Sequence, residues 1–282
     1  MNVSVVGIGG IGLAIALRVA EAGYSVTGID VSHGVRTTAE RRSIPTTGRF
    51  ALASWADTVI ITAASPWPLE KIVEKVTSEC AGQRWLVMST LHPLELRMQA
   101  GRLVEAGISV VDAPATGDLT QAERGELQVF AAGDPANIEA VRCILEAVGN
   151  VNRVSEHVGD AQGMAIVNQY LSLVHVVAAA EALGLADRLG LDMPRVLEVL
   201  EKTGGGSKML SDRGPRMLGP TNVKVTNTID SCARACELVS KVAAVSGASV
   251  PLLAIAQSRY RQAAEAGLEC RDDSRVIEVC SS

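Results

Sequence analysis

The sequence is poor in aromatic residues and has no excess of basic charge. It contains three tryptophans, three tyrosines and two phenylalanines, and its 26 lysines and arginines face 31 aspartates and glutamates, for a net charge of −5. Nucleic-acid binding depends on basic surface that neutralises phosphates and on aromatic rings that stack on bases. These two shortages argue against a nucleic-acid partner.

Paired cysteines and long uninterrupted apolar runs are also missing. The six cysteines form no Cys-x-x-Cys pair, and no histidine lies near Cys232 and Cys236 in the sequence. This pattern predicts no metal site and favours free thiols in a reducing cytoplasm. The most apolar stretch, 171–186, is interrupted by His175 and Glu181, whereas a spanning helix needs about 20 consecutive apolar residues. We therefore expect a cytoplasmic protein without a membrane span.

Apolar residues make up 48% of the 282 residues, which is enough for two domains with cores of their own. In the first half, short β-rich runs alternate with helical runs, an order typical of a parallel sheet covered by helices on both faces. The predicted strands are 3–6, 25–29, 58–62, 85–89, 109–111 and 128–131, and the predicted helices between them are 11–22, 69–79, 93–106 and 135–147.

The second half has almost no β signal and is predicted to be helical. Met164, Val167 and Leu171 follow the three-four spacing of one helix face, so that residues 160–190 are predicted to form one long helix. Further helices are predicted over 194–202, 207–218, 229–247 and 251–267.

A glycine-rich turn separates the first predicted strand from the first predicted helix, and it has the sequence Gly7-Ile8-Gly9-Gly10-Ile11-Gly12. In this pattern the first glycine permits a tight turn, the second admits a pyrophosphate to the backbone, and the third lets the helix pack closely on the strand. The free N–H groups of the helix N-terminus then bind the anion. We predict a dinucleotide-binding, Rossmann-type α/β domain with a mostly parallel, doubly wound sheet over 1–157, followed by an all-α domain over 158–282.

The end of the second predicted strand bears on the choice of dinucleotide. Asp30 lies there, and a carboxylate at this point suits the ribose hydroxyls of NAD and repels the 2′-phosphate of NADP. Arg36, Arg41 and Arg42 follow closely and have the reach to bind a phosphate. We predict NAD as the cofactor, with NADP less favoured.

Two further motifs carry a family resemblance. Residues 112–118 have the sequence Asp-Ala-Pro-Ala-Thr-Gly-Asp, and 159–169 have the sequence Gly-Asp-Ala-Gln-Gly-Met-Ala-Ile-Val-Asn-Gln. With the glycine turn and the closing Asp-Asp-Ser of 272–274, they resemble the β-hydroxyacid dehydrogenases, which include the 3-hydroxyisobutyrate, tartronate-semialdehyde and threonate types. The resemblance covers essentially the whole chain, and 175–182 is most similar to the threonate type. It implies hydride transfer between NAD and a small β-hydroxyacid or sugar acid.

The resemblance also implies roles for individual residues that bind substrate. Thr116 stands where the family has a serine that holds the substrate carboxylate, and Gly117 keeps the family's glycine beside it. Asp118 replaces a second glycine, so it would either receive a hydroxyl or amine of the substrate or serve as a solvated turn residue. Asn168 matches the family's substrate-binding asparagine on the long helix.

Four more positions are implied to lie beside the cofactor. Thr90 matches the family position near the nicotinamide, and Ala63 and Ala64 match the loop that passes under the cofactor. Arg234 stands where the family has a lysine near the nicotinamide, which keeps the cation and changes its shape. The resemblance further implies a homodimer or homotetramer formed through the helical domain.

The largest departure from the family is Ala165, at the position of its catalytic lysine. That lysine lies three residues before the asparagine, so both side chains share one helix face. Oxidation of a hydroxyl requires a group that takes up its proton, and a positioned lysine contributes about 10²–10⁴-fold to the rate. Alanine exchanges no proton.

Several interpretations of Ala165 remain open on the sequence. The chain is a lysine-to-alanine inactivated form of a working dehydrogenase, or another group has taken over the proton transfer. His92, Lys208 and, farther along the helix, His175 are the alternatives for that group. A third interpretation is an imine or iminium reductase of the same superfamily. A fourth, from another functional class, is a non-catalytic sensor that binds the dinucleotide without turnover.

Overall fold

The computed structural model describes residues 1–50, 55–62, 69–76 and 78–280. The chain forms two compact units, Met1–Ala165 and Ile166–Ser282. The boundary falls inside a long helix rather than at residue 157, where the sequence analysis places it. The physical reason is that the first turn of this helix is hydrogen-bonded to the strand end at Asp112 and so belongs to the first unit.

The first unit contains, within its described residues, a sheet of nine strands in the order β3-β2-β1-β4-β5-β6-β8-β7, with β9 also paired to β8. The first six strands of that order run parallel, while β8 is antiparallel to β6 and β7. This is the strand order of a doubly wound dinucleotide-binding fold, and it confirms the predicted fold class. The strands are β1 (Asn2–Val6), β2 (Ser25–Ile29), β3 (Thr46–Thr47), β4 (Thr58–Ile61), β5 (Arg84–Val87), β6 (Ser109–Asp112), β7 (Ala115–Thr116), β8 (Leu127–Ala132) and β9 (Gly149–Ser155).

Helices cover the sheet, and each face has its own apolar core. Successive strand residues point to opposite faces. Val5 and Ile60 therefore belong to one cluster and Val6 and Ile61 to the other. The helices of this unit are α1 (Gly10–Glu21), α2 (His33–Glu40), α3 (Leu69–Val73), α4 (Pro93–Glu105), α5 (Leu119–Arg124), α6 (Pro135–Ala140) and α7 (Arg142–Val148).

Two predicted helices of this unit were wrong in extent, and several short elements were missed. The helix predicted over 69–79 ends at Val73, with a separate 3₁₀ turn over Ser78–Cys80, and the helix predicted over 135–147 breaks at Val141. Side-chain caps at Ser32 and Asp118 begin two short helices that were not predicted. The missed elements are α2, α5, β3, β7 and β9, which are short or, in β9, polar.

The second unit is helical in its described residues, as predicted. One core cluster joins α8 to the later helices around Tyr260, whose hydroxyl donates to the carbonyl oxygen of Leu173 at 3.1 Å. The helices are α8 (Asp160–Arg188), whose start lies in the first unit, α9 (Met193–Leu200), α10 (Lys208–Leu218), α11 (Ile229–Ser246), α12 (Pro251–Ala263) and α13 (Ile277–Cys280).

Helix α8 is the one helix among the described residues with the length and apolar composition to cross a membrane. Its residues Val176, Ala180 and Leu183 are buried in the core of the second unit. A core helix of this kind passes the same test of length and composition as a spanning segment.

Candidate active site

The glycine turn has the geometry that its sequence predicts. Strand β1 ends at Val6, Gly7 adopts a positive φ of 90°, and α1 begins at Gly10. A Cβ at Gly12 would overlap the carbonyl oxygen of Gly7, because the helix packs directly on the strand end there. The hydroxyl of Thr62, after β4, donates to the same oxygen at 2.6 Å.

The N-terminus of α1 fits the pyrophosphate of a dinucleotide. Gly9 is its N-cap residue, and none of the described side chains caps this end of the helix. A Cβ built at Gly9 would meet, apart from its chain neighbours, no atom of the described residues within 4 Å. First-turn N–H groups that face open space, at the positive end of a helix, form an anion-binding site.

Asp30 and Arg36 meet where β2 ends. The Asp30 carboxylate accepts a hydrogen bond from the backbone N–H of Ser32 at 2.9 Å. The Arg36 guanidinium donates through Nη1 to the carbonyl oxygens of Asp30 and Val31, at 2.8 and 3.0 Å. Asp30 and Arg36 therefore lie side by side at the point where the sequence predicts the ribose of the cofactor. Of the three arginines considered above, these contacts bring Arg36 to this point.

Asp112 connects the sheet to the start of α8. Its Oδ2 accepts hydrogen bonds from the backbone N–H groups of Gly159, Ala161 and Gln162, at 2.7, 3.1 and 3.2 Å. Its Oδ1 accepts one from the Gln162 side chain at 3.0 Å. Burial raises the pKa of Asp112 to about 6, although each of these hydrogen bonds acts in the opposite direction.

The Gln162 side chain continues this connection to the segment after β5. Its Nε2 also donates to the carbonyl oxygen of Ser89 at 3.0 Å, and its Oε1 accepts from the backbone N–H of Leu91 at 2.7 Å. Thr90, the predicted neighbour of the nicotinamide, lies between these two anchored residues. The segment with Thr90, the strand end at Asp112 and the start of α8 are therefore hydrogen-bonded together at the carboxyl edge of the sheet.

The predicted carboxylate-binding loop has a backbone that depends on glycine. Thr116 ends β7, and Gly117 follows with a positive φ of 145°, where a Cβ would come within 2.7 Å of the Leu127 side chain. Asp118 is the N-cap of α5: its carboxylate accepts from the Gln121 N–H at 2.9 Å, and the Gln121 side chain accepts from the Asp118 N–H at 3.0 Å. This capping box gives Asp118 a local structural role.

Ala165 and Asn168 both lie on α8, at the three-residue spacing predicted for them. Ala165 is 6% exposed. Gln169, one turn beyond Ala165, has a buried Oε1 that accepts no hydrogen bond from the described residues. Gln169 follows Ala165 by four residues and so lies on the same face of α8.

The residues considered above as alternatives for the proton transfer occupy ordinary structural positions. His92 caps α4, because its Nδ1 accepts from the Leu94 N–H at 3.2 Å. Lys208 is an exposed residue at the start of α10, and His175 is half-buried on α8.

Arg234, the predicted neighbour of the nicotinamide, forms an ion pair with Asp230 on the exposed side of α11.

Ala63 and Ala64 lie outside the residues that the structure describes. Within the described ranges, no group of three histidine, cysteine, aspartate or glutamate side chains is arranged to hold a metal ion.

Comparison with known sequence families agrees with this geometry. The profile of the NAD binding domain of 6-phosphogluconate dehydrogenase matches residues 2–159. The profile described as NAD-binding of NADP-dependent 3-hydroxyisobutyrate dehydrogenase matches residues 159–280. The chain belongs to the β-hydroxyacid dehydrogenase family. It is thus homologous to NAD(P)-dependent oxidoreductases that act on CH–OH groups.

Individual members of the family match over nearly their whole length. The L-threonate dehydrogenase of Cupriavidus necator is 28% identical over 284 residues, which cover 99% of this chain and 95% of the relative. The crystal structure of 3-hydroxyisobutyrate dehydrogenase from Salmonella typhimurium is 25% identical, with a TM-score of 0.84 over 99% of both chains. That of Mycobacterium tuberculosis is 22% identical and shares the fold, with a TM-score of 0.89 over 100% of this chain and 99% of the other.

Proposed function

We propose that this chain is an NAD-dependent oxidoreductase of a small β-hydroxyacid or sugar acid, of the threonate or 3-hydroxyisobutyrate type. The observation that carries the proposal is the hydrogen-bonded junction of the Thr90 segment, the Asp112 strand end and the start of α8. Ligands of doubly wound sheets bind outside the carboxyl ends of the strands, where this junction lies. The match to L-threonate dehydrogenases supports the sugar-acid class.

The proposed division of labour follows from the chemistry of each position. The N–H groups at the start of α1 hold the pyrophosphate, and Asp30 accepts hydrogen bonds from the ribose hydroxyls. Thr116, the N–H groups beside Gly117, and Asn168 bind the carboxylate end of the substrate. NAD held in this way would supply the hydride acceptor for the hydroxyl-bearing carbon. The substrate hydroxyl loses its proton in the same reaction, which leaves a carbonyl group.

Position 165 limits this reaction, because alanine cannot receive that proton. We propose that the chain binds cofactor and hydroxyacid but turns over slowly, as a lysine-to-alanine inactivated dehydrogenase does. Ala165 is buried, and burial lowers the pKa of a lysine. A lysine placed there would consequently titrate closer to neutral pH, which suits a group that both takes up and returns a proton.

The test is turnover of a hydroxyacid panel with NAD by the chain as it stands, by Ala165→Lys and by Ala165→Met. Methionine is a matched control because it is long and unbranched but carries no exchangeable proton. We expect Ala165→Lys to raise kcat at least about a hundredfold on the correct substrate, and Ala165→Met to give no gain. Equal activities of the lysine and methionine variants would contradict the proposal.

Ala165 also favours a second candidate function, reduction of a cyclic imine. An iminium substrate carries its proton before the hydride arrives, so the reaction needs no lysine at this position. Turnover of imines and of no hydroxyacid, by the chain as it stands, would establish this second function. Dinucleotide binding without turnover of either class, even by Ala165→Lys, would instead identify a sensor.

The predicted homodimer or homotetramer accompanies the proposed function. Light scattering of the purified chain tests it, and a monomer at micromolar concentration would contradict it.

A further inference from the structure

Gln162 has an environment that is unusual for a helical glutamine. Gln162 is 0% exposed, and its side chain forms three hydrogen bonds with residues outside α8. The two hydrogens of its amide go to the Ser89 carbonyl and the Asp112 carboxylate, and its oxygen accepts from the Leu91 N–H. Buried polar groups satisfied in this way specify one arrangement of the segments that they join.

The three partners of Gln162 lie next to residues that we propose to bind cofactor or substrate. Ser89 and Leu91 are the immediate neighbours of Thr90, so the amide holds this segment on both sides. Asp112 is the residue from which the carboxylate-binding loop departs, and it also caps the first turn of α8. Ala165 follows Gln162 by three residues, hence on the same side of the helix.

We propose that Gln162, held by Asp112, is a positioning residue that fixes the distance and angle between the Thr90 segment and position 165. This inference rests on the proposed function. It concerns how the hydride acceptor beside Thr90 and a proton acceptor at position 165 are both held against the same CH–OH group of the substrate. Misplacement of reacting groups by about 1 Å can cost about a hundredfold in rate, so a clamp at this junction has a large effect on turnover.

Glutamine suits this role better than other residues of similar size. Leucine and methionine fill comparable space but offer no hydrogen bond, so the Leu91 N–H and one oxygen of Asp112 would each lose a partner. Glutamate would place a second carboxylate beside Asp112 and would offer no hydrogen to the Ser89 carbonyl unless protonated. The amide supplies both donors and the acceptor without charge.

The chain provides a matched control in Gln83. It is 4% exposed, its Nε2 donates to the Ala56 carbonyl at 2.9 Å, and its Oε1 accepts from the Trp85 ring N–H at 3.0 Å. Gln83 precedes β5, whereas Ser89 and Leu91, two of the three partners of Gln162, follow the same strand. Replacement of either glutamine thus removes a buried amide next to β5. Only Gln162 lies at the carboxyl edge of the sheet.

The experiment compares Gln162→Leu and Gln83→Leu in the Ala165→Lys background and in the chain as it stands. Gln162→Met serves as a second variant should the leucine not fold. We expect both replacements to lower Tm, and only the one at Gln162 to lower kcat, by about a hundredfold, with the Kd of ADP-ribose unchanged. Parental kcat in Gln162→Leu, or an equal loss of kcat in Gln83→Leu, would overturn the inference.

A binding measurement separates failure of the inference from failure of the proposed function. NADH and ADP-ribose share the adenosine and pyrophosphate but differ in the nicotinamide, so the ratio of their Kd values reports on the Thr90 side alone. If no background turns over a hydroxyacid, the proposed activity has failed. The clamp is still supported if Gln162→Leu weakens NADH relative to ADP-ribose while Gln83→Leu does not. An unchanged ratio in both variants rejects it, as does the absence of dinucleotide binding.

Discussion

Each of the two units contains a buried polar network around aspartates. The partners of the aspartate are uncharged amides in the first unit, whereas those in the second unit include arginines. In the first unit, Asp112 is surrounded by neutral amides, and burial raises its pKa to about 6. In the second unit, Arg213 forms two hydrogen bonds with Asp273, at 2.8 and 3.1 Å, and Arg216 pairs with Asp272 at 2.9 Å. The first network joins its segments through hydrogen bonds from amide groups, and the second joins them through ion pairs between arginine and aspartate.

The titration of the carboxylates records this difference. Burial acts on Asp272 as it does on Asp112, but hydrogen bonds from Ser274 and Thr226 and the charge of Arg216 outweigh it, so the pKa of Asp272 is lowered. Burial keeps the pKa of Asp273 raised even with Arg213 in contact. The direction of each pKa is therefore the balance of burial against hydrogen bonds and neighbouring charge: burial prevails over N–H donors at Asp112 and over a guanidinium at Asp273.

The largest effect is expected when the charged network loses its cation. Arg213→Met leaves Asp273 buried without its main partner, and breaking a buried pair in this way costs about 3–5 kcal/mol. Chemical denaturation measures the loss. The double variant Arg213→Met with Asp273→Leu should recover most of it, because both charges are then gone. A loss under about 1 kcal/mol in the single variant, the range of exposed pairs, would contradict the view that this pair is buried and coupled.

The neutral network should show its own signature in the pH dependence of stability. The folded pKa of Asp112, about 6, lies above its ordinary value of 3.8, so the folded state binds this proton more tightly than the unfolded state does. Its contribution is complete below pH 3.8 and is lost as the pH rises through 6. The shift corresponds to about 3 kcal/mol across this window.

Asp112→Asn tests this titration, because asparagine has no proton to lose. We expect the free energy of unfolding of the parent to fall relative to that of Asp112→Asn between about pH 4 and pH 6. Other carboxylates titrate in both proteins and cancel in the difference. A difference that is constant with pH, or that grows as the pH rises, would show that the folded pKa of Asp112 is not raised.

The same comparison explains what the sequence could and could not predict. The glycine turn and Asp30 could be predicted as cofactor-binding positions because their spacing is local and each glycine has a separate steric reason. The partners of Gln162 lie 50 to 73 residues away in the chain, and Arg213 and Asp273 are 60 apart. A glutamine inside a helical pattern carries no signal of its own, so the clamp appears only once the fold brings Ser89, Leu91 and Asp112 together.

Short polar elements were missed for a related reason. Helix α5 spans six residues, begins with the capping box of Asp118 and Gln121, and has only Leu119 and Ala122 as apolar residues. Strand β9 contains Asn150, Asn152 and Arg153, which do not resemble the apolar strands of a parallel sheet, although it pairs with β8 in parallel. Apolar periodicity, on which the sequence analysis depends, is weak in both.

The smallest effect is expected at Arg97, a cation beside the network of Asp112 and Gln162. Arg97 pairs with Asp160 at 2.8 Å, with side chains 47% and 34% exposed, and its stem packs over Gly159. Arg97→Met keeps the stem and removes the charge, which at an exposed pair costs up to about 1 kcal/mol. The pKa of Asp160 should stay lowered, since the hydrogen bond from the Ser155 hydroxyl is its main cause. Thermal denaturation measures the stability and carboxylate titration by NMR the pKa. A loss as large as that of Arg213→Met would mean that charge, rather than the Asp112 and Gln162 hydrogen bonds, anchors the start of α8.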